Sequence, residues 1–349
     1  MPVEDRISRV DLNTNPINTD FRASLHQKLS GVNINFGNVR NILNDDLILP
    51  LSVDVTRKLH EIHSWVFNNS NNRDLISLSP LGIFGIDQLL TKTSPLKIAH
   101  IAGQSVDVVA DPTIQLVVEA YRRRRGKDQG DISLGAFHTC TRLQRYTDST
   151  YKSVFEMFGT LDSRSRDPSS NFEIDTICGL IESYTALIND AYPGNVIDVV
   201  LGSLGVAKTL LLRDGQQDLS VGFKEKVEAF IEKFPTHLRG VLPIELLTEA
   251  AFIADCDNMS VKSEVSKIGK VADKLVNIKG RNLNFSLDRT QGLGHYSGLV
   301  FMLFANGIDL VDGGTVDWVQ RLSSNTRERT VVSGMGTQLL AELILAKNE

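Results

Sequence analysis

Apolar residues recur at helical intervals through most of the chain beyond residue 51, and no other pattern constrains the fold as strongly. Val55, Leu59, Ile62 and Val66 fall at i, i+4, i+7 and i+11 behind Ser52, which makes one buried stripe of a helix with a hydroxyl cap. Asp111-Pro112 pairs a capping carboxylate with a first-turn proline and opens a second helix through Ile114, Val117, Val118 and Tyr121. That helix closes with Arg122, Arg123, Arg124, Arg125 and Gly126, so cations sit at the negative end of its dipole. A long helix is predicted over 172–192, stopped by Pro193-Gly194, and a short one over 20–29. Others are predicted over 220–234, 243–255, 260–278, 296–305 and 334–347; in 260–278, Val261, Val265, Ile268, Val271, Leu275 and Ile278 share one stripe. Strand alternation is scarce, with 105–109 the one short candidate. The expected fold class is therefore mainly α, with few short strands.

Three regions follow from composition along the chain. Residues 1–50 are rich in Asn, Asp and β-branched residues and read as an extended N-terminal arm. The polar, breaker-rich stretch 162–171 is the best linker, so residues 51–165 and 166–349 are expected to be two helical lobes. A hydrophobic content of 42% and a charged content of 23% belong to a chain that folds in water rather than one that stays disordered. The apolar run at 299–305 is too short to cross a bilayer, and the N-terminus carries no apolar signal segment. Cys140, Cys178 and Cys256 are odd in number and far apart, which fits reduced thiols and a cytoplasmic (or virion) location, with no membrane partner.

Charge is uneven. The net charge is −5, yet 121–166 holds ten Lys/Arg against five Asp/Glu. Within it, Arg122, Arg123, Arg124, Arg125 and Lys127 are followed by Arg142 and Arg145 on what reads as the next helix, with Tyr121 and Tyr146 beside them. Arginine forks suit phosphates and tyrosine faces suit unpaired bases, so these nine residues are the candidate contacts for single-stranded RNA. The competing reading of the arginine run is a solvated helix end matched to the dipole.

One stretch approaches a nucleotide-binding loop. An apolar run over 196–201 leads to Gly202, and Lys208-Thr209 follow at the spacing of a phosphate-binding loop, but Ala207 stands where a second glycine belongs. The fifteen or so residues resemble the small-GTPase and ATPase loop, which would make Lys208 a phosphate ligand and Thr209 a magnesium ligand. The alternating βαβ pattern of such folds is missing nearby, and 309–314 is a poor partner motif. Ile197, Val200, Leu204, Ala207 and Leu211 also keep helical spacing, so the segment can equally be a helix. His60 and His63 are i, i+3, not the i, i+4 of a zinc protease helix; His138-Thr-Cys140 has no second ligand pair at finger spacing. The glycine-rich 292–298 reads as a turn. No metal site and no cofactor is expected.

In plan, an Asn-rich arm, a basic segment and two helical lobes resemble RNA-virus nucleoproteins and helical coat proteins. That resemblance implies a self-assembling, non-enzymatic protein that coats single-stranded RNA, with subunits joined through the arm into a homo-oligomer. The alternatives are a P-loop nucleotide hydrolase using Gly202, Lys208 and Thr209, or a capsid-like scaffold made of protein alone.

Overall fold

Unbroken apolar runs, more than amphipathic stripes, supply the framework of this protein. The computed structural model describes residues 50–347 apart from 71, 102–104, 127–129, 144–149, 166–170, 207–231, 233–234, 255–258, 278, 288, 290–291 and 293. Helix α1 (Val53–Asn69) leads to strand β1 (Asp74–Leu75), strand β2 (Leu81–Ile83), helix α2 (Ile86–Thr91) and strand β3 (Val106–Val108). Helix α3 (Pro112–Arg125) precedes two long strands, β4 (Ile132–Thr141) and β5 (Val154–Arg164), then helix α4 (Asn171–Ala191). Next come strand β6 (Ile197–Ser203), strand β7 (Leu242–Pro243), and helices α5 (Leu247–Ala254) and α6 (Met259–Leu275). Strands β8 (Asn282–Ser286), β9 (Leu299–Ala305) and β10 (Ile308–Val316) follow, then helix α7 (Trp318–Ser323), strand β11 (Arg329–Met335) and helix α8 (Thr337–Ala346).

Nine of these strands form one sheet in the order β1-β4-β5-β11-β10-β9-β6-β8-β7, and β2 and β3 pair separately. Neighbours are antiparallel except β1 with β4 and β6 with β8. The sheet is mixed, and it runs across residue 165 because Arg164 of β5 is in register with Arg329 of β11.

Both faces of the sheet are covered. On one side α1, α4, α6 and α8 bury Ile62, Ile181, Ile268 and Leu340 against Phe285, Phe301 and Val331. On the other, α3 and α7 bury Ile114, Val117 and Trp318 against Leu134, Leu161 and Val332. Successive residues of β11, Val331 and Val332, thus enter different cores, as the two-residue period of a strand requires. A sheet buried on both faces needs apolar residues on both, so its strands lose the alternation that would mark them in sequence.

That loss explains the correction to the fold class. The expectation of a mainly α chain with two helical lobes fails: the molecule is an α/β protein built on a large mixed sheet. Leu-Val-Phe-Met-Leu-Phe-Ala, expected inside a helix over 296–305, is β9, with Leu299, Val300, Phe301, Leu303 and Ala305 all buried. Periodicity cannot separate such a run from a buried helix. The segment before Arg142 is likewise β4, whose Ile132, Leu134, Ala136 and Cys140 are buried on alternate positions. Helices marked by caps are present as read: Ser52 accepts from Val55 N at 3.2 Å at the head of α1, and Asp111 accepts from Thr113 N at 2.9 Å at the head of α3. The expected N-terminal arm, the helix over 20–29 and most of that over 220–234 fall outside the described residues. Among the described residues no helix is long and apolar enough to cross a membrane.

The arginine run at the end of α3 ties the helix to the sheet. Arg124 is buried; its Nε and Nη2 lie 2.9 and 2.7 Å from Glu328 Oε1, and its Nη1 donates to Gly130 O at 2.6 Å. Ser163 Oγ donates to the same Glu328 oxygen at 2.6 Å, so the carboxylate of this fully buried pair is well satisfied. Removing one partner of such a pair strands the other charge, at a cost of about 3–5 kcal/mol. Arg124→Ala is therefore expected to lower unfolding stability in urea by about that amount, whereas exposed Arg122→Ala leaves the midpoint where it is.

Candidate functional site

A cavity of about 560 Å³ opens on the α3 side of the sheet, walled by α2, the N-terminus of α3, β11 and the turn 292–298. Each wall has a sequence cause. Asp111 stands at the rim because it caps α3, its Oδ1 accepting from both the amide and the hydroxyl of Thr113, at 2.9 and 2.7 Å. Arg142, just past β4, is held by donating Nε to Ala110 O at 3.0 Å and by lying 5.2 Å over the Phe155 ring. Its Nη2 is 3.7 Å from Asp111 Oδ2, a charge contact longer than a hydrogen bond. The turn 292–298 reaches the cavity on two glycines. Gly292 has φ +84°, and a Cβ on Gly294 would stand 2.6 Å from Thr91 O at the end of α2.

Beyond that turn, Arg289 Nη2 lies 2.8 Å from Asp312 Oδ1, and its guanidinium sits over the Tyr296 ring. His295 packs edge-on against Trp318 at 4.5 Å between ring centroids. Burial pushes the His295 imidazolium down, so the ring is neutral at pH 7, and pushes the Tyr296 phenol well up. A smaller annex of about 170 Å³ shares Arg142, Met157, Asp312 and Gly334 and continues past Phe155 to Lys152 and Glu342.

Asp87 is the least compensated charge here. It lines the cavity from α2 and is 7% exposed. Burial first, then the carboxylates of Asp111 and Asp107, raise its pKa to about 7 against the opposing pull of Arg142. Asp107 itself is committed elsewhere, to Gly85 N at 2.8 Å and His100 Nδ1 at 2.6 Å. Bordering the annex, Asp309 is pushed up to about 6 by burial and then by Asp312. Acids that resist ionisation in a cavity are favourable neighbours for a cation.

The residues expected to hold RNA are dispersed. Arg122 pairs with Glu119, Arg123 with Glu119 and Asp74, and Arg124 with Glu328. Tyr121 is half-buried and Arg125 exposed on α3, while Lys127, Arg145 and Tyr146 lie outside the described residues. Of the six described residues among the nine, only Arg142 lines the cavity. Gly202 is inside β6, in register with Ser286 of β8 and Val300 of β9, and a Cβ there would meet Ser286 O at 3.0 Å. It is a packing glycine in the ladder, one residue before β6 ends; Lys208 and Thr209 lie outside the described residues. His63 accepts or donates at 2.8 Å to Glu156, and Cys140 is buried with its thiol pushed up by burial. Sequence reading missed Asp87 and Arg289, placed Asp312 only in a poor nucleotide-loop partner motif, and took Asp111 for a cap alone and 292–298 for a plain turn. Both of the latter were visible; their convergence was not.

No protein-family model matches the chain, and no curated protein matches it by sequence. Solved structures do match, and they define a histidyl-tRNA-synthetase-like α/β fold. An ATP phosphoribosyltransferase regulatory subunit/histidyl-tRNA synthetase from Bacillus halodurans superposes with TM-score 0.68 at 15% identity, covering 85% of this chain and 82% of that one. A histidine–tRNA ligase subunit from Alicyclobacillus acidocaldarius gives 0.66 at 15%, covering 86% and 97%. Histidyl-tRNA synthetase from Nostoc sp. PCC 7120 gives 0.61 at 11%, covering 86% and 74%. At these identities the likeness establishes the fold. It overturns the nucleoprotein reading and the viral coat or all-α class that went with it. The P-loop hydrolase and protein-only scaffold alternatives find no support among these neighbours either.

The Asp87 shift has a stability consequence. Between about pH 4 and about pH 7 the folded state keeps a proton on Asp87 that the unfolded chain has released, so stability falls as pH rises through that window. Asp87→Asn removes the effect. Its melting temperature relative to the parent is expected to be unchanged at pH 4 and higher at pH 8, by the equivalent of about 1–4 kcal/mol.

Proposed function

We propose that this protein binds a free amino acid in the Asp87–Asp111–Arg142 cavity, with histidine the first candidate. The observation that carries the reading is the buried Asp87 carboxylate, kept from ionising by its surroundings and flanked by Asp111. A ligand ammonium placed between them would supply the missing positive charge and favour the ionised form of Asp87. Beside Asp111, Arg142 is oriented by Ala110 O and by the Phe155 ring, and its guanidinium fork suits a ligand carboxylate. Acids and a guanidinium gathered along one rim offer both signs of charge to a zwitterion of amino-acid size. A neutral His295 and Tyr296 form the aromatic side of the same cavity, with Trp318 packed behind His295, an arrangement suited to a flat side chain. The names of the structural neighbours supply histidine as the amino acid to try first.

Titration calorimetry with L-histidine tests this directly. Saturable binding is expected, weakened at least tenfold by Arg142→Ala and by Asp111→Asn, and tightening from pH 6 to pH 8 as Asp87 ionises. Absence of saturable heat with histidine and with other amino acids at millimolar concentration would sink the proposal. Charging of tRNA, the activity in the neighbours' names, is read in the same preparation by transfer of labelled histidine to total tRNA.

A further inference from the structure

The opposite face of the sheet holds a second groove, of about 440 Å³, between α1 and α4. Its floor is polar where the surrounding core is apolar. Arg73 Nη2 lies 2.8 Å from Asp162 Oδ2, and Ser133 Oγ donates to Asp162 Oδ1 at 2.6 Å. Beside them, Ser333 Oγ shares hydrogen bonds with Thr160 Oγ1 at 2.6 Å and Tyr184 OH at 2.7 Å. Buried polar clusters of this kind add little stability over apolar side chains of the same volume. Their presence at the base of an open groove of ligand size, against a usual range of about 300–1,000 Å³, is the arrangement of a binding pocket.

Gly179 is a second, independent sign. It lies in the middle of α4, where glycine costs about 1 kcal/mol relative to alanine. It is not there for close packing, since no described atom lies within 4 Å of where its Cβ would be. What the missing side chain leaves open is the groove, which Gly179 lines.

We propose that this groove binds a neutral sugar ring, either free or as part of a nucleoside. Arg73 and Asp162 are the only charged residues among the described residues lining it, and they neutralise each other, so an anionic or cationic ligand would find no counter-charge. Each Asp162 oxygen keeps a lone pair for a ligand hydroxyl. Trp65 and Phe158 offer flat apolar surface in the same groove to the carbon face of a ring or to a base.

Ligand-observed NMR and calorimetry with D-ribose, D-glucose, adenosine and AMP test it on the full chain. At least one neutral probe is expected to bind saturably, with AMP at least tenfold weaker than adenosine. Ribose binding alongside adenosine assigns the recognition to the sugar; adenosine alone assigns it to the nucleoside. Gly179→Leu fills the groove and is expected to weaken binding at least tenfold, while Gly179→Ala raises the melting temperature and leaves binding intact. Arg142→Ala, across the sheet, is expected to leave it unchanged, which separates this site from the amino-acid cavity. The inference is overturned if no neutral probe binds, if AMP binds better than adenosine, if Gly179→Leu binds as the parent does, or if Arg142→Ala abolishes binding.

Discussion

Everything in this molecule depends on a sheet whose two faces are both withdrawn from water. Each strand must then satisfy two cores at once, and β5 does so along nearly its whole length: Phe158 enters the α4 side and Leu161 the α3 side. Backbone ladders satisfy the polar groups of these strands, so the sheet can be apolar throughout without stranding a donor or acceptor. Arg124, Glu328 and Ser163 enter it as one matched set. Both cavities lie against this sheet, on opposite faces, and β11 passes between them. Val332 and Gly334 border one, while the Ser333 hydroxyl between them is bonded to Thr160 and Tyr184 at the floor of the other.

Local signals in the sequence were legible where local chemistry decides structure. Ser52 and Asp111 cap the helices they announce, and Pro112 begins α3. The stripe from Val261 to Leu275 lies on α6, with Val261, Val265, Ile268, Val271 and Leu275 all buried. The sheet was not legible, for a physical reason. β6 and β9 are buried on both faces, so neither shows a period of two, and a run such as 299–305 fits a buried helix as well as a buried strand. Non-local pairing, β6 beside β9 and β5 beside β11, has no counterpart in any short window of sequence.

The candidate site was legible in fragments. Arg142 was singled out, but for its membership of a basic run in which Arg122, Arg123 and Arg124 pair with Glu119, Asp74 and Glu328. Four adjacent arginines on a helix point in different directions, so the run had no common target to begin with. Asp312 was read within a weak nucleotide motif, whereas its neighbours Gly313 and Gly314 are glycines because Phe301 and Leu299 O stand where side chains would go. Asp87 carries no sequence signature at all, since its character comes from burial and from Asp107 and Asp111, twenty or more residues away.

The two ends of the sheet differ from its middle. β1 and β7 are each two residues long, and β7 ends in Pro243, which has no amide hydrogen to offer. A broad, apolar sheet with long edge strands would be a template for strands from other molecules; β1 and β7, which pair with β4 and β8 at two positions each, are themselves too short to serve as one. Among the described residues, strand-by-strand growth on β1 or β7 themselves therefore has almost no template to start from.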